Sequence, residues 1–229
     1  MSDLIWSIIS MVATLALYYL CKSHYRKTRQ FWCTPLLAAP VCVIALVAGL
    51  HIPLPAYYQY THWLVTLLGP ATIAFALPIY RQRQMIVRYP LTIIAGVITG
   101  LILGLVSNWA LATLLHMPAV LERSMLPRSV STPFAILVSA KFGGMPDITA
   151  MLVVLTGVIG MLVCEPLYRM ARIKSPHARG SGLGSSAHGA GTAKAHELGQ
   201  QEGVVASLTM VFTGICMVLL APVLSHLLM

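Results

Sequence analysis

The residues best suited to chemistry lie in one polar stretch, GSSAHGAGTAKAHELGQQEG, at residues 184–203. Small side chains let the backbone approach a ligand closely, and a histidine can exchange a proton near neutral pH. On a helix that begins near Ser186, His188 and Thr192 share one face, which we expect to contact a substrate. His188 and Glu202 are the candidates for coupling that contact to proton movement, because ionisable groups inside a membrane protein are commonly functional.

A second candidate site is the start of a helix in SVSTPFA, residues 129–135. Ser131 or Thr132 can serve as the N-cap, and Pro133 suits the first helical position. A helix N-terminus carries free N–H groups and a partial positive charge. At membrane depth this start offers a site for an anion, whereas at the protein surface it would be an ordinary helix cap.

A third candidate is LGPATIAFALPIY at residues 68–80, where Gly69, Pro70 and Pro78 interrupt an apolar helix. Proline removes backbone hydrogen bonds and leaves carbonyl groups free for a ligand. The same pattern suits a kinked packing helix, so both interpretations stay open. The candidate substrate-binding residues of the three sites are Pro70, Thr72, Ser131, Thr132, Pro133, Ser185, Ser186, His188 and Thr192.

The patterns of other kinds of site are missing from the sequence. His188 and His196 lack the spacing of metal ligands, and GSGLGSS at residues 180–186 lacks the final glycine of a dinucleotide fingerprint. Without a nucleophile elbow or an acid–base pair, we expect no enzymatic activity, no metal and no cofactor. A small carboxylate, accepted by two helix N-termini beside a histidine, is the ligand that fits this arrangement.

The composition indicates which elements must position these residues. Of the 229 residues, 58% are hydrophobic and 9% are charged. Soluble domains have about 25% charged residues, so lipid must surround most of this chain. The net charge of +9 is scattered over short loops, which suits membrane orientation and contact with anionic lipid better than nucleic acid. We predict an all-α polytopic membrane protein with about six full spans, at residues 4–21, 33–50, 63–80, 90–115, 146–167 and 203–228.

Loop charges predict the topology. Asp3 precedes the first apolar run and basic residues follow it at residues 22–29, so we expect the N-terminus outside. The later spans can alternate in direction only if residues 129–145 and 181–202 do not cross the membrane. We interpret these two segments as re-entrant half-helices, which enter from the outside and the inside respectively and face a common cavity.

A weak internal repeat supports this topology. Three Thr-Gly pairs recur at intervals of 57 residues, at 99–100, 156–157 and 213–214. Chance is a competing explanation, because such pairs are common in apolar helices. With the re-entrant segments, the repeat predicts inverted repeats and an elevator-like transporter architecture. Residues 1–62 would then be a scaffold that forms a homodimer, and residues 63–229 would be the transport core.

At these motifs the chain resembles the LrgB/CidB family of bacterial membrane proteins, whose plant relative is the plastidial glycolate/glycerate translocator. The resemblance covers essentially the whole chain and is strongest from residue 64 onward. It rests on LGPATIAFALPIY (68–80), SVSTPFAI (129–136), GGMPDITA (143–150) and GSSAHGAGTAKAHELGQQEGVVASLTM (184–210).

The resemblance implies a multi-pass protein of the bacterial inner membrane that moves small 2-hydroxy or 2-oxo monocarboxylates, such as glycolate, glycerate, lactate or pyruvate, with proton coupling. It also implies an alternative. Family members are described as antiholin-like regulators of murein hydrolase export and cell lysis, which act with a small LrgA/CidA-type membrane protein. The expected partners are therefore a monocarboxylate, membrane lipid, a second copy of the chain and, in the alternative, this small protein.

Overall fold

A computed structural model describes residues 2–28, 30–74 and 76–228. Within these ranges the protein is all-helical with no strand, as predicted. The α-helices are α1 Ser2–Thr28, α2 Pro35–Gly49, α3 Leu54–Thr66, α4 Leu68–Ala74, α5 Ala76–Arg81, α6 Arg83–Arg88, α7 Pro90–Leu114, α8 Ala119–Met125, α9 Thr132–Lys141, α10 Pro146–Met170, α11 Pro176–Leu198 and α12 Gln200–Leu228, with a 3-10 helix at Phe31–Cys33.

Among the described residues, four helices are long and apolar enough to cross a bilayer: α1, α7, α10 and α12. These four helices indicate a membrane protein, but they are fewer than the six full spans that the sequence predicts. Helix α2 is apolar and has only 15 residues, whereas a bilayer span needs about 20. The predicted number of full spans is therefore not confirmed.

The predicted span at 63–80 is the clearest departure. Helix α3 begins at Leu54, within the segment predicted as a loop, and ends at Thr66, where a turn at Leu67 separates it from α4. A proline ring clashes with the carbonyl group four residues earlier, and for Pro70 that residue is Thr66. The proline thus explains why α3 ends where it does, and why the apolar run does not form one continuous helix.

The described chain forms two compact units, Met1–Ala71 and Thr72–Met229. In the first unit, α1 packs against α2 and α3, and the Ser7 Oγ donates a hydrogen bond of 2.7 Å to the Gln59 Oε1. The proposed domain boundary after residue 62 remains a sequence-based prediction.

The core of the second unit lies where α9 packs between α10 and α12. Val138 of α9, Val153 of α10 and Leu208 of α12 are fully buried there. Helix α11, although rich in glycine, packs more extensively against α12 than any other pair of helices. Its glycines allow this approach, because a methyl group at Gly184 would collide with the Ala206 backbone.

Candidate functional site

Helix α11 is broken at His188, which has φ 41° and ψ −127°. A methyl group at Gly191 would collide with the Leu183 carbonyl group, although these residues are eight positions apart. In a continuous helix that separation is about 12 Å. The chain therefore reverses at His188, and residues 189–198 run back alongside the first half of α11.

His188 is held tightly at this reversal. Its side chain is 5% exposed, and its Nε2 lies 2.8 Å from the Val153 carbonyl oxygen of α10. Because a carbonyl oxygen can only accept, Nε2 must be the protonated nitrogen and donates this bond. Gly157, one turn further along α10, has no room for a side chain, since a methyl group there would meet the imidazole ring and Ala190.

The second helix start is at the predicted position. Helix α9 begins at Thr132, with Ser131 as the N-cap and Pro133 in the first turn. The Ser131 carbonyl oxygen accepts the first helical hydrogen bond, from the Ala135 N–H at 3.0 Å. The Ser131 side chain makes no cap hydrogen bond; it is 4% exposed, and its Oγ has no partner. A buried hydroxyl without a partner is unfavourable unless another molecule satisfies it.

Helix α7 contacts both the first half of α11 and the segment that leads into α9. Gly100 lies against Ser185, in the first half of α11, and Gly104 lies against Ser129, two residues before the α9 N-cap. Residues four apart on a helix are separated by about 6 Å along its axis. The end of the first half of α11 and the segment that leads into α9 therefore meet α7 about one turn apart.

The two short helices match in length and position at a fixed offset in the sequence. Helix α9 spans Thr132–Lys141, and the second half of α11 spans residues 189–198, which is the same length at the 57-residue offset of the Thr-Gly pairs. Ser131 thus corresponds to His188.

Two of the glycines in the Thr-Gly pairs make matching contacts. Gly157 of α10 lies against His188 of α11, and Gly214 of α12 lies against Phe134 of α9. The glycines of the second and third Thr-Gly pairs thus each contact the short-helix region of the other 57-residue segment, whereas Gly100 of the first pair lies against Ser185.

The other candidate residues of the 184–203 segment differ in their burial and contacts. Ser185 is buried, whereas Ser186 is exposed and donates to the Gly182 carbonyl at 2.6 Å. Thr192 is half-buried, with its Oγ1 3.6 Å from the Met210 Sδ. Glu202 is buried in the first turn of α12.

The helix in this segment does not begin near Ser186. It begins at Pro176 and restarts after His188, because the chain reverses there. Pro70 is exposed in the first unit, and the Thr72 side chain lies outside the described residues.

Charged side chains link the second half of α11 to α10. The Lys194 Nζ lies 2.8 Å from the Glu165 Oε1 and 3.5 Å from the Glu197 Oε2. Glu165 also pairs with Arg169 at 3.6 Å. These contacts tie the returning half-helix to the span beside it. Within the described part of the chain, no three histidine, cysteine, aspartate or glutamate side chains gather in a group that could hold a metal ion.

A polar pair that joins α7 to the segment leading into α9 was not predicted from the sequence. The Arg128 Nε donates to the Oδ1 of Asn108, a residue of α7 that is 1% exposed. The Asn108 Nδ2 donates to the Leu126 carbonyl oxygen at 3.0 Å. One signal was available: Asn108 is the sole asparagine in the chain and lies in an apolar run.

Together, these features define a polytopic helical membrane protein in which two short helices begin inside a packed core. The chain belongs to the LrgB-like family, which it matches over residues 14–227. It is similar to two uncharacterized proteins of Bacillus subtilis (strain 168). YwbG is 36% identical over 94% of this chain and 96% of its own length. YxaC is 32% identical over 89% of each chain.

The antiholin-like protein LrgB of the same organism is 33% identical, over 93% of each chain. No solved structure matches the chain.

Proposed function

We propose that this protein is a secondary transporter of small 2-hydroxy or 2-oxo monocarboxylates, such as glycolate, glycerate, lactate or pyruvate. The observation that carries the proposal is the start of α9, where the Ser131 hydroxyl is buried without a partner. A helix N-terminus favours an anion, and a carboxylate oxygen can accept from the hydroxyl. The equivalent residue His188, at the start of the other short helix, supplies a second polar group.

In this proposal, α9 and the two halves of α11 are re-entrant and enter from opposite faces of a bacterial inner membrane. The N-terminus is outside, as loop charges predict. Residues 63–229 carry the substrate in an elevator-like movement, and residues 1–62 form a homodimer scaffold. Discontinuous helices near the midplane are typical of secondary transporters, because their free ends bind charged ligands.

Proton coupling would use His188. With Nε2 donating to the Val153 carbonyl oxygen, a second proton can be added only at Nδ1. The resulting imidazolium has a positive charge at the start of a half-helix, so it favours a bound carboxylate. By linkage, the carboxylate favours the protonated ring to the same degree. Substrate and proton would therefore bind together. Glu202 is the second candidate for this role.

A second candidate function is an antiholin-like regulator of murein hydrolase export and cell lysis, acting with a small LrgA/CidA-type partner. The name of the relative from Bacillus subtilis favours it, since that protein is called antiholin-like. This role needs no specific small ligand. Transport by the isolated protein therefore separates the two candidates.

The test is uptake of labelled glycolate and pyruvate into proteoliposomes that contain only this protein. We expect accumulation when the outside is more acidic than the inside, and loss of accumulation when a protonophore removes the gradient. Protein-free vesicles are the control for leakage. If correctly inserted, folded protein gives no uptake of either substrate, the transporter proposal is wrong and the regulatory candidate is favoured.

A further inference from the structure

The Asn108 amide holds Arg128 in a defined orientation. Arginine can only donate hydrogen bonds and a backbone carbonyl can only accept them, so the amide oxygen must face Arg128 and the amide nitrogen must face Leu126. Both ends of a nearly fully buried side chain are thereby used. The fixed amide restrains the guanidinium through its Nε and leaves the two terminal nitrogens for another partner.

Among the described residues, no carboxylate forms an ion pair with this guanidinium. Every ion pair between described side chains involves Glu165 or Lys194, and Arg128 takes part in none of them. Asn108 is the hydrogen-bond partner that the described residues provide. Burial lowers the pKa of Arg128 below its ordinary value, yet an arginine remains charged in proteins. A half-buried cation without a counter-ion is unfavourable unless an anion binds to it.

The cation without a counter-ion and the hydroxyl without a hydrogen-bond partner belong to the same short segment, residues 128–131. Arg128 is three residues before Ser131, and the intervening Ser129 lies against Gly104, one turn of α7 before Asn108. We propose that Arg128, positioned by Asn108, binds the carboxylate of the transported substrate together with the Ser131 hydroxyl. This inference rests on the proposed function, and it names the residue that recognises the charge.

The planar guanidinium suits a carboxylate, because two parallel N–H groups match its two oxygens. A lipid phosphate offers similar oxygens and is the other source of this chemistry. The Ser131 hydroxyl favours the small carboxylate, because it is buried and a small ligand can reach it more readily than a headgroup fixed to its acyl chains.

The first test compares Arg128→Gln with Arg123→Gln in the proteoliposome assay. Glutamine can still donate to the Asn108 amide oxygen, so the fold should survive, but the charge and the paired N–H groups are lost. We expect the KM for glycolate to rise roughly tenfold to a hundredfold, as for the loss of a charge-assisted pair. Arg128→Lys should be intermediate. Arg123 lies on α8 and loses the same charge, so its variant should keep the wild-type KM.

The second test keeps Arg128 and introduces a carboxylate of the protein itself at position 131. Aspartate and asparagine are both good N-caps of similar size, so Ser131→Asp and Ser131→Asn should both preserve α9. Only Ser131→Asp adds a carboxylate to the segment that carries Arg128. We expect it to abolish glycolate binding to purified protein and to raise the melting temperature above that of Ser131→Asn, which should retain weak binding.

The outcomes separate this inference from the proposed function. If wild-type protein transports glycolate and Arg128→Gln does so with an unchanged KM, the inference is wrong and the transporter proposal stands. If Arg128→Gln alters only the response to anionic lipid in the vesicles, a headgroup is the partner and the inference is again wrong. If wild-type protein neither binds nor transports a monocarboxylate, both fail together.

Discussion

Replacing His188 by glycine is expected to reduce glycolate uptake at least a hundredfold while the protein stays folded. The imidazole is the proposed proton carrier, and its loss removes both the donor and the charge at the half-helix start. Glycine accepts φ 41° without strain, which offsets the lost hydrogen bond to the Val153 carbonyl oxygen. Each of these opposing effects is about 1 kcal/mol, so the free energy of unfolding should change little.

His188→Ala distinguishes the backbone from the side chain. Alanine loses the same imidazole but keeps the strain of a positive φ, so it should be less stable than His188→Gly by about 1 kcal/mol. Uptake should be equally low in both variants. Thermal unfolding in detergent and uptake in proteoliposomes measure the two effects separately.

His51→Gly is the matched control. His51 also has a positive φ, 50°, but it is exposed in the turn between α2 and α3. The substitution should relieve the same kind of backbone strain and leave uptake unchanged. Equal damage from His51→Gly and His188→Gly would contradict the assignment of the site.

Gly184→Ala is expected to lower the free energy of unfolding by about 1–3 kcal/mol, the usual effect of overpacking. Its new methyl group would collide with the carbonyl oxygen and Cα of Ala206, which are backbone atoms of α12 and cannot rotate away. Helices α11 and α12 would have to separate. Because the first half of α11 leads directly to His188, uptake should fall as well.

Gly182→Ala, on the same helix, should raise the free energy of unfolding instead of lowering it. A methyl group there would meet only the Tyr168 hydroxyl, at an ordinary 3.6 Å. The better helix propensity of alanine should then stabilise the protein by up to about 1 kcal/mol. Thermal unfolding of the two variants side by side gives the comparison. Destabilisation of equal size at both positions would show that the close approach of α11 to α12 is not the cause.

The sequence alone determined the properties that depend on composition and on local chain geometry. The charged fraction of 9%, together with the long apolar runs, predicted a helical membrane protein. The start of α9 was predictable because Ser131, Thr132 and Pro133 form a local helix-start signal, although the Ser131 side chain makes no cap hydrogen bond. Family membership followed from continuous motifs, which need no knowledge of distant contacts.

Only the tertiary structure decided the features that depend on contacts between distant segments. The reversal of α11 at His188 could not be read from its residue type, since a positive φ in a histidine persists only where surrounding packing enforces it. The Asn108–Arg128 pair links α7 to the segment before α9. The proposed role of Arg128 depends on the lack of a paired carboxylate among the described residues. The neighbouring sequence does not show which side chains the fold brings near this arginine.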